Sequence, residues 1–317
     1  MCDEISISNS EIWQLQRDEP SIEALLNIIY RKCLGVESSA CTSAVRHELG
    51  VPSQRLRADA QALKFRNDIL RLDDDHIVKR VYLGLKDEQL VGAGDTKNGV
   101  RGHLERLART ANWLGESFEK TASKDAAKEY VEVRQNASFK DDLGQKSTLR
   151  ELRKVVDVNR VTLPEYLTRK CPVSLCHGRM LKTQLRLGTH QLASSKDRMI
   201  PRGGRGPTYM QCRCCSQGVE ESVLHALFEC ECHRGIRDDF VAQIRREDPL
   251  FGLASDEQRT RVLLSDDTPE EFDNFLYRYL ISLFASRESR LDSLADGGRP
   301  HSHSRPLTGT LRNPGSG

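Results

Sequence analysis

Cys212 and Cys215, separated by two residues, are followed after nine intervening residues by His225 and after four more by Cys230, so four soft donors fall within twenty positions. A tetrahedral structural zinc site needs four nitrogen or sulfur ligands, and pairs separated by a few residues reach one ion from a turn and a helix. The expected cofactor is therefore Zn2+. Thiolates are the binding form, and the charge of Arg213 and nearby Arg205 favours them before the metal does the rest. Neighbouring donors leave the set open, because Cys214, Cys232 or His233 could replace a ligand, as in the shifted set Cys212, Cys214, His225 and Cys230. A unit this small needs its metal to fold, with binding worth on the order of 10 kcal/mol.

A second chemistry belongs to the approach to this cluster. Between residues 169 and 214 the cations Arg169, Lys170, Arg179, Lys182, Arg186, Lys196, Arg198, Arg202, Arg205 and Arg213 face one acid, Asp197. One-sided charge of this kind neutralises phosphates and releases counterions, so RNA or DNA is the expected partner, held by Arg179, Lys182, Arg186, Lys196, Arg198, Arg202, Arg205 and Arg213. Gly203, Gly204 and Gly206 let backbone approach a phosphate, without matching a nucleotide-binding loop. Tyr209 and Phe228 are candidates to stack on bases or to pack around the metal lobe.

Catalytic groups are sparse. The acidic runs at 73–75, 141–142, 238–239 and 266–267 read as caps or exposed turns rather than as a two-metal centre, and no Gly-x-Ser-x-Gly, P-loop or His-Glu-x-x-His occurs. No catalytic residues are expected. Cys171, Cys176 and His177 lack a fourth ligand and read as structural or incidental.

The elements that must position these groups are helices. Apolar residues recur every three to four positions over 21–34, 39–49 (closed by Gly50), 52–71 and 77–85, and again at Leu104, Leu107, Ala111 and Leu114. Residues 120–146 are charged with few apolar anchors, predicting exposed helices or a flexible arm. Helical spacing returns at 149–161, 163–175 and 220–229. The predicted fold class is mainly α: helical hairpins with a small zinc-knuckle module and a C-terminal tail that is disordered from Asp292, where Gly, Pro, Ser, His and Arg dominate. The organisation reads as N-terminal helices (1–50), a helical region (51–165), a basic connector (166–205), the zinc knuckle (206–240), C-terminal helices (241–290) and the tail (291–317).

Global composition narrows the class without naming a partner. A net charge of +2 from 48 basic and 46 acidic residues carries no partner preference by itself. No eighteen-residue apolar run and no basic-then-apolar start occur, which predicts an intracellular protein, nuclear or cytoplasmic, with no membrane partner. Five of the ten cysteines (212, 214, 215, 230 and 232) crowd beside a histidine, which favours metal over disulfides.

The order of segments resembles the C-terminal region of reverse transcriptases from LINE-type (non-LTR) retrotransposons. Residues 49–66 look like the helical region after the polymerase fingers and palm. The run Leu185, Arg186, Leu187, Gly188, Thr189, His190 and the Cys-Cys-His-Cys unit look like the terminal zinc knuckle and its approach helix. Residues 271–287, with Phe272, Phe275, Leu276, Leu280 and Phe284, resemble the closing helix. The resemblance spans roughly residues 49–290, with 91–161 matching poorly. It implies a thumb-like helical region and a nucleic-acid-binding knuckle with Cys212, Cys215, His225 and Cys230 as ligands. It implies no activity here, since none of the Asp pairs, Asp141 and Asp142 after Phe139 included, lies in the apolar strand-turn-strand setting of the polymerase's aromatic-x-Asp-Asp hairpin, and any endonuclease domain is missing from this sequence. A different class of function is a zinc-stabilised protein-interaction adaptor that docks another helix on Val223, Leu224, Leu227 and Phe228.

Overall fold

In a computed structural model, which describes residues 20–84, 125–160, 163–196, 210–215 and 217–296, the chain is mainly α-helical. Helices α1 (Pro20–Leu34), α2 (Thr42–Leu49), α3 (Gln54–Leu70) and α4 (Ile77–Gly84) follow one another through short turns. Gly50 ends α2 at φ +60°, a left-handed conformation that a side chain would strain, and its N–H returns to the carbonyl of His47. Ser53 caps α3 by accepting the Leu56 N–H at 3.2 Å.

Helix α5 (Ala126–Gln145) is more buried than its charged sequence predicts. Its sparse anchors fall on one stripe, and Phe139 is fully buried against α2, stacked at 4.0 Å on His47. Leu34, Val45, Phe139, Leu143, Leu149, Leu152 and Leu187 form the core of this N-terminal half. The break expected at 91–102 and the helix expected around Leu104 to Leu114 lie outside the described residues.

Expected helices at 149–161 and 163–175 are shorter than their periodicity suggests. Helix α6 covers only Arg150–Val155 and α7 only Glu165–Thr168. Pro172 lacks an N–H and bars the preceding residue from helical angles, so the chain runs extended from Arg169 (ψ 145°) before restarting.

Helix α8 (Cys176–Leu187) lies within the stretch expected as a basic connector at 166–205. Its apolar side puts Leu181 and Leu185 into the C-terminal core, while Leu187 enters the N-terminal one. The short α9 (Ala193–Lys196) follows. A single turn at His225–Glu229 then leads to α10 (Arg234–Glu247), α11 (Asp256–Leu264) and α12 (Glu270–Asp296). Helices α8 and α12 cross closely: a Cβ on Gly178 would lie 2.4 Å from the Tyr277 carbonyl oxygen, so only glycine allows this approach. Leu185, Leu227, Phe240, Ile244, Leu263, Leu276, Leu280 and Leu283 fill the space between these elements.

Helix α12 continues past Asp292 to Asp296, so the predicted tail begins later than its composition suggests; residues 297–317 lie outside the described residues. No helix among the described residues is long and apolar enough to cross a membrane.

Candidate metal centre

Two short extended pieces make the hairpin that carries the first two cysteines. The N–H of Cys212 bonds the carbonyl of Val219 at 2.7 Å, and the N–H of Glu221 bonds that of Met210 at 2.7 Å, an antiparallel bridge between Gln211 and Glu220. Gly218 turns the return strand at φ +67° with open space around it, so the backbone angle alone selects glycine. The loop between the strands holds Cys212 and Cys215.

The other two donors sit on the turn at His225–Glu229, which is π-helical rather than α-helical. In an α-helix, positions five apart point about 140° away from each other. Here the Cys230 N–H bonds the His225 carbonyl at 2.7 Å, an i→i+5 closure that brings both side chains to one side. The sequence periodicity at 220–229 gives no warning of this local widening.

These elements bring Cys212, Cys215, His225 and Cys230 together, with one donor atom from each lying within 4.8 Å of every other. Cys212 Sγ stands 3.9 Å from Cys230 Sγ, and Cys215 Sγ 3.5 Å from His225 Nε2. A tetrahedron with zinc–sulfur bonds of about 2.3 Å and a zinc–nitrogen bond of about 2.0 Å has sulfur–sulfur edges near 3.8 Å and sulfur–nitrogen edges near 3.5 Å. The two separations match those edges, so these four residues could hold a metal ion. Cys212, His225 and Cys230 are buried and Cys215 is half-buried.

The surroundings support the four donors. Glu229 places Oε2 3.5 Å from His225 Nδ1, which turns the other ring nitrogen towards the cysteines. Cys212 is pulled down to about 3, first by a hydrogen bond from the Cys214 thiol and also by the N–H groups of Cys215 and Cys214. Burial pushes Cys230 up to about 12 and raises Cys215 as well. One thiolate is thus stabilised by the protein alone, whereas three together need a cation among them.

The competing ligands have other partners. Cys214 lies beside Cys212 and Glu221 rather than in the four-donor set, and its thiol is raised chiefly by its hydrogen bond to Cys212. The Cys232 thiol donates to the Cys214 carbonyl at 2.7 Å. Glu221 is engaged by Arg287 through two bonds of 2.7 and 2.8 Å and accepts the Ala193 N–H at 2.6 Å. Burial lowers the His233 imidazole, which belongs to neither candidate group. Among the described residues, Cys171, Cys176 and His177 form no group close enough to share an ion; the Cys176 thiol points at the Pro172 carbonyl, 3.6 Å away.

Sequence reasoning missed the residues that fasten this unit to the body. Arg287 grips Glu221, Arg290 donates to the Cys214 carbonyl at 2.9 Å, and Arg237 donates to the Cys230 carbonyl at 2.9 Å. The first two lie on α12 and the third on α10, and the only sequence signal was an arginine spacing of three near the end of a long amphipathic helix.

The basic stretch divides when placed in space. Lys182 and Arg186 are fully buried, which removes them from any phosphate-contacting surface. Lys182 Nζ bonds Asp273 at 2.7 Å and Thr268 at 3.0 Å; desolvation lowers it to about 8 and raises Asp273. Arg186 Nε bonds Glu48 at 2.7 Å, and its other nitrogens reach the Leu264 carbonyl and Asp266. Arg179 is half-buried and donates to the Arg169 carbonyl at 3.2 Å. Arg213 is exposed on the loop between the first two cysteines. Lys196 ends α9, and Arg198, Arg202, Arg205 and Tyr209 lie outside the described residues. Phe228, Val223 and Leu227 are buried and Leu224 is half-buried against the same core, so Phe228 packs instead of stacking on bases.

Of the acidic runs, Asp266 is partly buried between Arg186 and Arg160, and Asp142 bonds Lys146 at 2.8 Å. Neither resembles an apposed carboxylate pair. No family model, curated protein or solved structure matches this chain.

Proposed function

We propose that this chain holds one zinc ion through Cys212, Cys215, His225 and Cys230, and that the ion clasps a helical module that binds RNA or DNA. The observation that carries the zinc assignment is the donor set itself, three sulfurs and one nitrogen with two tetrahedral edges in place. Thiolate-rich tetrahedral sites select zinc among the available divalent ions, and a closed four-ligand set leaves no position for substrate. Zinc supplies charge that stabilises the thiolates and free energy that folds the hairpin; Glu229, Arg287, Arg290 and Arg237 orient and anchor its ligands.

Nucleic-acid binding rests on fewer residues than the sequence offers. Arg213 stands exposed between ligands, and Lys196, Arg198, Arg202 and Arg205 precede the hairpin along the chain. Together with the resemblance to LINE-type reverse transcriptases, these cations support a role in holding template RNA or target DNA, with the polymerase chemistry supplied by other sequence. The module itself is read as non-catalytic. Three reduced thiolate ligands favour a nuclear or cytoplasmic setting.

The adaptor reading loses its proposed docking face, because Val223, Leu227 and Phe228 are committed to the core. Titrating the zinc-loaded protein into fluorescein-labelled single-stranded RNA at several salt concentrations tests the nucleic-acid reading. The expected result is an affinity whose logarithm falls linearly with the logarithm of salt between about 50 and 200 mM. Binding indifferent to salt, or none below micromolar protein at low salt, overturns it.

A further inference from the structure

Beside the metal centre, a cleft of about 680 Å³, part of it open to solvent, runs between α10 and the first turn of α11. Phe228, Arg237, Arg245, Arg259, Asp238 and Asp256 line it. The charges do not cancel locally. Arg259 is neutralised by Asp256 at 2.8 Å, and its remaining nitrogens bond the carbonyls of Phe251 and Gly252 at 3.0 and 2.7 Å. Asp238 already pairs with Arg234, at 3.7 Å. That leaves Arg237 and Arg245 as uncompensated cations facing one opening.

These two guanidiniums differ in a useful way. Arg237 is half-buried and fixed, donating one nitrogen to the carbonyl of the ligand residue Cys230 at 2.9 Å. Arg245 is exposed, and no ion pair or hydrogen bond to another described residue involves it. A fixed donor beside a free one is suited to an anion that arrives from solvent, and a planar guanidinium matches phosphate oxygens in pairs. Phe228 is only 5% exposed, so the cleft offers no platform for a base. It can grip backbone without reading sequence.

We infer that this cleft is a phosphodiester subsite in which Arg237 and Arg245, eight residues apart on α10, hold separate phosphates of a polynucleotide strand passing the zinc-clasped hairpin. The inference rests on the nucleic-acid reading above and adds a place for the strand on α10, outside the basic stretch. Gly252 makes the geometry testable without altering charge, because a Cβ there would lie 2.1 Å from Arg245 Nε and 3.0 Å from its Cζ. The Gly252→Ala methyl therefore forces the Arg245 guanidinium out of its present position.

The experiment compares RNA binding by zinc-loaded wild-type protein with Arg245→Ala, Gly252→Ala and Arg246→Ala. Arg246 is also exposed, one residue along the same helix but outside the cleft lining, and it controls for general loss of charge. Loss of one phosphate contact is expected to weaken binding roughly fivefold and to reduce the salt slope by about 1 in Arg245→Ala. Gly252→Ala is expected to weaken binding in the same direction at unchanged net charge, and Arg246→Ala to change it less than twofold. Helical circular dichroism and thermal unfolding check that each variant remains folded. If RNA binds all four proteins alike, or if Arg245→Ala and Arg246→Ala lose affinity equally, the subsite is wrong while the nucleic-acid reading survives. If the wild-type protein binds no RNA, that reading fails, and the assignment of a strand to the cleft fails with it.

Discussion

Replacing Arg186 with alanine separates a core arginine from a phosphate-contacting one. Arg186 is fully buried and serves three acceptors at once: Glu48 at 2.7 Å, the Leu264 carbonyl and Asp266. Asp266 keeps Arg160 as a partner after the substitution. Glu48, itself without solvent exposure, is left with the Tyr166 hydroxyl at 3.3 Å and a looser Arg160 contact at 3.8 Å. Removing one partner of a buried ion pair costs about 3 to 5 kcal/mol, because the remaining charge stays desolvated. Urea unfolding of the zinc-loaded protein, followed by circular dichroism, should therefore give Arg186→Ala a stability lower by that amount. An exposed arginine costs less than about 0.5 kcal/mol. A loss under about 1 kcal/mol, accompanied by weaker RNA binding, would refute the placement of Arg186 in the core.

His47 gives an acid-side prediction. Burial first, and Arg160 second, push this imidazole down to about 4, while the unfolded chain's histidine titrates near 6.5. The folded state therefore resists a proton that the unfolded state accepts. Stability from this source is complete above about pH 6.5 and falls as pH drops towards 4, by about 3 kcal/mol in all. His47→Leu should flatten that window in urea titrations, and a wild-type-minus-variant difference that does not change with pH would contradict it. Cys214→Ser and Cys232→Ser should each retain one equivalent of bound metal by mass spectrometry of the native protein, whereas Cys230→Ser should lose it; equal loss in all three would return the ligand set to its open alternatives.

The parts of the fold legible in the sequence are those fixed by local rules. The first helix follows from apolar spacing and the end of the second from Gly50, whose left-handed angle is available at little cost only to glycine. The clustering of Cys212, Cys215, His225 and Cys230 was legible for a similar reason, since short spacings limit what a turn and a helix can bring together. The fate of the basic stretch was not. Lys182 and Arg186 sit four apart on α8, directly beside Leu181 and Leu185, and buried charges are rare enough that a solvated face is the ordinary reading. Their partners Asp273, Glu48 and Asp266 lie 91, 138 and 80 residues away, so no local pattern announces the pairing. The π-helical turn is hidden in the same way, because its apolar residues fit α periodicity and only the closure from Cys230 to His225 reveals the extra residue.

The most direct test is X-ray absorption at the zinc edge on protein purified without added chelator, together with a metal count. One zinc per chain is expected, with three sulfur neighbours at about 2.3 Å and one nitrogen at about 2.0 Å, and removal of the ion should unfold the hairpin at 210–230. Substoichiometric metal, or a first shell of two sulfurs with oxygen or nitrogen donors, would contradict the clasp formed by Cys212, Cys215, His225 and Cys230.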